Sequence, residues 1–346
     1  EALHELFPAA PVYTAFTDPD AMGRHWAKFA DWQIQTTWLA RIPWIKKIFS
    51  PLRILAPRAF ADLDVSAFDV VISSSNAYFA KAVQVKPSAK HICYCHTPPR
   101  ALYGYTTKSN WRENPFTRVV GEVMNHFLRL TDFEIAQKVD VFIANSVETQ
   151  RRIKKFYRRD STVIFPPVAV EEAAAYLKLH PNQPRDYYLY VNRLALAKHP
   201  ELAVQVCTDL ELPLKVVGSG PMMDELKAIA GPTVEFRGAV SDEELHELYA
   251  GAKALIYPVE DEDFGMVPVE AMAHGTPVIA HASGGVLETV AEEKTGLFFH
   301  ELSLAGLKEA VLLSQRYDFS QKSCRQQAAQ FSVGAFDQKI SKLLSA

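Results

Sequence analysis

The feature that most constrains this chain is a series of short, uninterrupted apolar runs separated by helical patterns. Runs at residues 69–73, 90–95, 140–144, 162–165, 187–191, 214–217, 233–236, 254–257 and 277–280 are rich in β-branched and aromatic residues. Most of them do not alternate apolar with polar. A strand covered on one face alternates, whereas a parallel strand covered on both faces does not. Between the runs, segments such as 149–157, 201–210, 222–230 and 242–250 carry apolar residues at helical spacing. This alternation predicts an α/β protein whose parallel sheets are wound by helices on both faces. At 346 residues the chain exceeds one ordinary core and suits two domains of about 150 residues each. Phe165-Pro166-Pro167 interrupts both strand and helix, so the boundary is placed there. The expected domains are 1–166 and 167–330, followed by an amphipathic helix over 331–346 that can pack back on the first domain.

Charge and cysteine usage narrow the function classes. The formal net charge is −3, and no global basic field argues for nucleic acid as a partner. No run of eighteen apolar residues is present, so no membrane-spanning helix is expected. Cys93, Cys95, Cys207 and Cys324 form neither a CxxC pair nor a zinc-type array, and reduced thiols in a cytoplasmic protein are expected. Residues 1–7 already read as an amphipathic helix, which Pro8 stops.

The segment from Tyr257 to Gly285 carries the most chemistry. It reads as strand, acidic loop, helix and strand, with the helix opening near Gly265–Val267 and Gly275 closing it. Open α/β sheets bind ligands beyond the carboxyl ends of their strands, which is where this loop falls. A helix N-terminus there offers N–H groups and partial positive charge to a phosphate or to sugar hydroxyls. Glu262 lies in the loop and Glu270 is expected in the first helical turn, eight positions later. Carboxylates accept well from vicinal hydroxyls. A solvated acidic loop is the competing reading of the pair alone.

The whole string decides between them. Glu262 and Glu270, with Phe264-Gly265, Gly275-Thr-Pro-Val278 and Gly284-Gly285 in one order, resemble the E-x7-E segment of retaining glycosyltransferases of family four. The resemblance implies the GT-B architecture of two facing Rossmann-like domains with an interdomain cleft. It implies that Glu262 contacts donor-sugar hydroxyls and Glu270 the nucleotide ribose. It also implies that the backbone at Phe264, Gly265, Met266 and Val267 holds sugar and distal phosphate. A Gly-rich loop after a first strand is typical of the family, and that strand of the N-terminal domain is expected to be missing here.

Other segments fit the same picture. Arg193 and Lys198 flank a loop between the run 187–191 and a helix opened by Pro200. Two cations at a helix N-terminus suit a diphosphate, although two ordinary surface cations read the same way. The family has an Arg and a Lys at this spacing as pyrophosphate ligands, after a Gly. Asn192 replaces that Gly, and since Asn tolerates positive φ the same turn is expected. Gly218 in Gly-Ser-Gly-Pro221, and Gly238 and Val240 after the next strand, resemble the loops that edge the nucleotide and frame its base. In the first domain, Tyr94-Cys-His-Thr-Pro-Pro-Arg100 resembles the family's cleft motif, which implies that His96 approaches the donor sugar. Arg100 is a weaker candidate for acceptor or phosphate, and Asn145-Ser146 also resembles a family signature whose role can be helix capping alone.

The resemblance implies transfer of a hexose from a nucleoside-diphosphate sugar to a hydroxyl of a glycan or lipid-linked acceptor, with retention. Arg193, Lys198 and the helix end would stabilise the leaving diphosphate, so no metal or other cofactor is expected. The string from Glu262 to Glu270 looks most like bacterial mannosyltransferases of surface-polysaccharide assembly, which implies GDP-mannose. An epimerase, a phosphorylase or a non-catalytic sugar-nucleotide-binding fragment are the alternatives. Finally, Trp26, Trp32, Trp38, Trp44, Phe29 and Phe49 mix with Arg41, Lys46, Lys47 and Arg53. That mixture suits either peripheral docking on the inner face of an anionic membrane or two core-packed helices.

Overall fold

The computed structural model describes residues 1–76, 79–105, 115–181 and 183–345. They divide into two compact units, one of Glu1–Asn145 with Thr149–Val163 and one of Ser146–Glu148 with Ile164–Ala346. In the first unit, β1 (Val12–Thr14) and β2 (Ile34–Thr36) form a separate parallel pair. Strands β3 (Val70–Ser75), β4 (Lys90–Cys95), β5 (Val141–Ala144) and β6 (Ser161–Val163) make a four-stranded parallel sheet in that order. The second unit holds β7 (Tyr187–Val191), β8 (Leu214–Val217), β9 (Val234–Gly238), β10 (Ala252–Tyr257), β11 (Val278–His281) and β12 (Gly296–Phe299). These pair in the order β12-β11-β10-β7-β8-β9, all parallel.

Burial on both faces explains the uninterrupted runs. Successive side chains of a strand point to opposite faces. Tyr187, Leu189, Leu255 and Tyr257 enter one core with Phe264, Val269, Met272 and Phe331. Their neighbours Tyr188, Tyr190, Ala254 and Ile256 enter a second core with Ala203, Val206, Leu307 and Val311. An alternating sequence would leave one of those cores without side chains.

The nine strands read from sequence are present, with ends moved by two residues at most. Three strands escape a pattern search: β1 and β2, at three residues each, and β12, which opens on Gly296. A Cβ at Gly296 would overlap the Val278 carbonyl, so close packing of β12 on β11 demands the glycine. The helices behave as their caps dictate. Ser241 accepts the Glu244 N–H at 3.1 Å and starts the helix Asp242–Ala250. The Glu244 carboxylate, at the position from which a capping box would be completed, accepts from Arg237 instead, at 2.6 Å. The helix Met266–Ala273 ends in a Schellman motif: Thr276 N–H reaches the Ala271 carbonyl at 3.0 Å and Gly275 N–H the Met272 carbonyl at 2.9 Å. Gly275 sits at φ +78°. The last helix, Val333–Leu344, belongs to the second unit, as do Leu304–Ser314 and Gln321–Ala329.

Candidate functional site

The strand order of the second sheet fixes where a ligand can sit. The chain lays down β7, moves outward through β8 and β9, then returns to place β10 on the other side of β7. The connections after β7 and β10 therefore leave in opposite directions and open a crevice at the carboxyl edge. Arg193 and Lys198 follow β7, and Glu262 follows β10. Lys198 Nζ donates directly to Glu262 Oε2, and both side chains are largely buried. Sequence reading assigned these two groups to different parts of a ligand and did not anticipate their contact. The buried Tyr257 hydroxyl also neighbours Glu262; burial first, and then that carboxylate, keep the phenol protonated far above its usual range.

Glycines bring the loops this close together. A Cβ at Gly218 would overlap the Asn192 carbonyl, and one at Gly220 the Leu194 carbonyl. Leu194 N–H bonds to the Ser219 carbonyl at 3.0 Å, and Gly218 N–H to the Gly238 carbonyl at 2.7 Å. The loops after β7, β8 and β9 are thus held together by backbone contacts, with Gly218 at φ +127° and Gly238 at φ +68°. Asn192 corrects one expectation. It does not take positive φ; its Oδ1 accepts the Arg193 N–H at 2.9 Å. The left-handed residue of this loop is His199, at φ +46°, just before the helix Pro200–Asp209. Arg193 itself is exposed.

The acidic loop is seated in the same way. Gly285 N–H donates to the Glu262 carbonyl at 2.8 Å, and Ser283 Oγ accepts the Asp261 N–H at 2.8 Å. A Cβ on Gly284 would overlap the Glu262 carbonyl, and one on Gly285 would lie 2.5 Å from Phe264 Cα. The paired glycines of the motif are therefore a seat for the backbone carrying Glu262. Gly265, at φ +90°, then turns the chain into the helix Met266–Ala273. The first N–H groups of a helix have no acceptor within it, so those of Met266 and Val267 are available to a ligand. Phe264 offers a ligand only its backbone, because its ring is buried against Phe165 and Phe331. Val240 likewise packs on the apolar core.

Glu270 falls in the second turn of that helix, not the first. Its Oε2 accepts the Tyr249 hydroxyl at 2.8 Å. Burial raises its pKa, and the Tyr249 hydrogen bond opposes the rise. The backbone carbonyl of Glu270 takes His274 Nδ1 at 2.7 Å, and His274 Nε2 meets His246 Nδ1 at 2.8 Å. Burial lowers the His274 pKa to about 4, so the ring is neutral, donating from Nδ1 and accepting at Nε2.

The first unit places its own candidates at the carboxyl edge of its sheet. His96 follows β4 directly, its Nε2 2.8 Å from Ser74 Oγ and its ring edge-on to Tyr94. Burial holds its pKa below the usual value. Arg100 opens a short turn, Arg100–Leu102, with its guanidinium 5.5 Å from the Tyr105 ring centre. The aromatic segment divides. Trp26, Phe29, Trp32 and Trp38 are half-buried, with Trp32 stacked on His4 at 3.9 Å. Phe49 is core, and Trp44 alone is 77% exposed. The Lys47 side chain lies outside the described residues. The four cysteines are free and buried. Among the described residues no cluster of three metal-ligating side chains occurs and no helix is long and apolar enough to cross a membrane.

Comparison with known proteins fits this geometry. Residues 177–330 match the model of glycosyl transferases group 1. That region contains Arg193, Lys198, Glu262, Glu270 and the glycines that seat them. Over 277 residues, 75% of this chain, the sequence is 24% identical to sulfoquinovosyl transferase SQD2 of Arabidopsis thaliana and covers 52% of that protein. A 109-residue stretch, 31% of this chain and 28% of the relative, is 40% identical to a GDP-mannose-dependent alpha-mannosyltransferase of Mycolicibacterium smegmatis. The chain spans about half the length of the curated relatives it matches. Among solved structures, sucrose-phosphate synthase from Thermosynechococcus elongatus aligns over 99% of this chain and 91% of its own, at 22% identity and a TM-score of 0.70. The fold is therefore that of the GT-B class, α/β with two Rossmann-like domains.

Proposed function

We propose that the protein transfers a hexose, mannose by preference, from a nucleoside-diphosphate sugar to a hydroxyl of a glycan or lipid-linked acceptor, with retention at the anomeric carbon. The observation that carries this reading is the direct Lys198–Glu262 contact at the strand crossover of the second sheet. It sets a fixed cation against a hydroxyl-accepting carboxylate at the edge where α/β sheets take ligands. In this reading the Lys198 ammonium faces the diphosphate and Glu262 the sugar hydroxyls. Charge builds on the diphosphate as the glycosidic bond breaks. Lys198, Arg193 and the N–H groups of Met266 and Val267 stabilise it more in the transition state than before it. Glu270 takes the ribose hydroxyls, the backbone at Gly218, Gly238 and Val240 frames the nucleotide, and His96 and Arg100 serve the sugar and acceptor side. The mannose preference rests on the 40% identity to the mycobacterial enzyme over its matched stretch.

The test is a donor panel on the full-length protein. Nucleotide release is scored with and without hydroxyl acceptors, lipid-linked glycans among them, and the product anomer is read by NMR. GDP release from GDP-mannose that depends on the acceptor, giving an α-linked product, is expected. Release that depends on inorganic phosphate, or no release from any donor, would sink the proposal.

A further inference from the structure

The second unit carries a basic cavity at the amino edge of its sheet, the edge opposite the Lys198–Glu262 pair. Arg185 stands just before β7, Ala250 just before β10 and Gly275 just before β11. The end of the helix Val170–Leu179 and the start of Gln321–Ala329 wall in a volume of about 370 Å³, the size of a small-molecule site. Lys178, His180, Arg185 and Arg325 line it, and no Asp or Glu among the described residues does. Acidic residues outnumber Lys and Arg in the chain, 40 to 37, so this cationic bias is local.

Helices end at this edge, and their terminal carbonyls attract cations. That accounts for part of Arg185. Its Nη1 donates to the Ala252 carbonyl at 2.8 Å and to Thr276 Oγ1 at 2.6 Å, and its Nη2 to the His274 carbonyl at 2.7 Å. A guanidinium has five N–H donors, so Nε and one hydrogen of Nη2 are left over. Helix ends do not account for the others. Arg325 is exposed and bonds only to Gln321 Oε1, at 3.4 Å. The exposed Lys178 has no hydrogen bond or ion pair among the described residues. The two guanidiniums converge: a Cβ on Gly275 would lie 3.1 Å from Arg325 Nη1 and 3.4 Å from Arg185 Nη2. Burial lowers the Arg185 pKa, and the Arg325 charge adds to the fall. Like charges held side by side with donors to spare are relieved by an anion. Planar guanidinium forks match phosphate oxygens, and Ala174, Leu177 and Pro181 add an apolar wall beside them.

We propose that this cavity binds a small phosphomonoester, its phosphate between Arg185 and Arg325 with Lys178 at the rim, and its organic part against Leu177 and Pro181. The site is separate from the transfer chemistry proposed above, and its occupancy is read without donor or acceptor. The experiment is isothermal titration of the full chain with glucose 6-phosphate, inorganic phosphate and glucose, in the absence of any nucleotide. Saturable binding of both phosphates, tighter for the ester, and none of glucose is expected. Arg325→Ala should weaken glucose 6-phosphate about tenfold or more, as loss of a charge-assisted contact does. It should melt with the parent, because that side chain is exposed, which separates binding from folding. Hydrogen exchange with the ester present should slow in Gln321–Ala329 and stay unchanged in the loops carrying Lys198 and Glu262. No saturable binding of either phosphate up to about 10 mM overturns the proposal. So does binding that Arg325→Ala leaves intact, or protection confined to the Lys198 and Glu262 loops, because the ester would then occupy the diphosphate site.

Discussion

The two units place charge and apolar surface in opposite ways. In the first, Lys81, His91, Asp132 and Arg152 are all buried, at 2% exposure or less, while an apolar stripe faces water on the helix Pro115–Gln137. In the second, no Lys, Arg, Asp or Glu is fully buried among the described residues, Glu270 being only partly so, and the Lys198–Glu262 pair stands at the carboxyl edge of the sheet. Buried ion pairs add little stability compared with apolar substitutes, yet they tie elements together specifically. Lys81 Nζ meets Asp132 Oδ1 at 2.5 Å, and Tyr103 donates to Asp132 Oδ2 at 2.9 Å, so one carboxylate joins a short turn, a long helix and the segment after β4. The second unit gets its specificity from glycines that let backbones touch. One unit is organised by a charge in its core and the other by loops at its edge.

Breaking the buried pair is the harshest test of that contrast. Asp132→Ala strands the Lys81 ammonium inside the first unit and should cost roughly 3–5 kcal/mol. Hydrogen exchange should show the loss in the first unit and spare the six strands of the second. Lys81→Met combined with Asp132→Leu should recover most of it. A single variant costing under about 1 kcal/mol would mean that the pair organises nothing.

Acid probes both interiors together. Burial lowers His91 and His274 to about 4 from an ordinary 6.5, opposed by the Asp140 carboxylate in one case and the Glu270 carbonyl in the other. Because the folded values lie below the unfolded ones, the stability they contribute is present above pH 6.5 and is lost as pH falls toward 4. Each loss is about 3 kcal/mol in size. His91→Gln should flatten the acid limb of exchange in the first unit only, and His274→Gln in the second only. A variant that flattens both would show that the units do not unfold independently.

How legible each unit was in the sequence follows from the same contrast. The second sheet announces itself because its strands are buried on both faces and its loops repeat a recognisable string from Glu262 to Gly285. Even there, Glu270 lies one turn later than expected: the helix opens at Met266, within the expected range, and its first turn is complete by Val269. Asn192 was given a conformation it does not adopt, because its side chain can bond to the next N–H instead. The Lys198–Glu262 contact spans 64 residues and leaves no local trace. In the first unit the signal is inverted. Asp132 and Lys81 look like surface residues, Val119 to Leu130 look like core, and the tryptophans that drew attention are mostly half-buried.

Lys198→Ala tests the edge and not the core. Turnover should fall at least tenfold, about 1.4 kcal/mol of transition-state stabilisation, while melting and hydrogen exchange stay within the range of a surface change. Single-turnover nucleotide release is the measurement. Unchanged release would remove Lys198 from the diphosphate and leave the Glu262 contact as structure alone.

The smallest effect expected is at Glu270, and its sign is informative. Burial raises this carboxyl above its usual value, with Tyr249 opposing. Stability from such a group is fully present below the unfolded value of 4.5 and is lost as pH rises through the higher folded value. Glu270→Gln keeps an acceptor for the Tyr249 hydroxyl and cannot ionise. Its melting temperature should match the parent near pH 4 and exceed it at pH 7, by less than the histidine effect. The same variant should bind a nucleotide diphosphate more weakly, because an amide is a poorer acceptor for ribose hydroxyls than a carboxylate. A protein that becomes more stable and binds worse at pH 7 would show that this carboxylate is kept ionised for a ligand at the expense of the core around it. A variant less stable than the parent at pH 7 would place Glu270 with the buried charges of the first unit and erase the distinction between them.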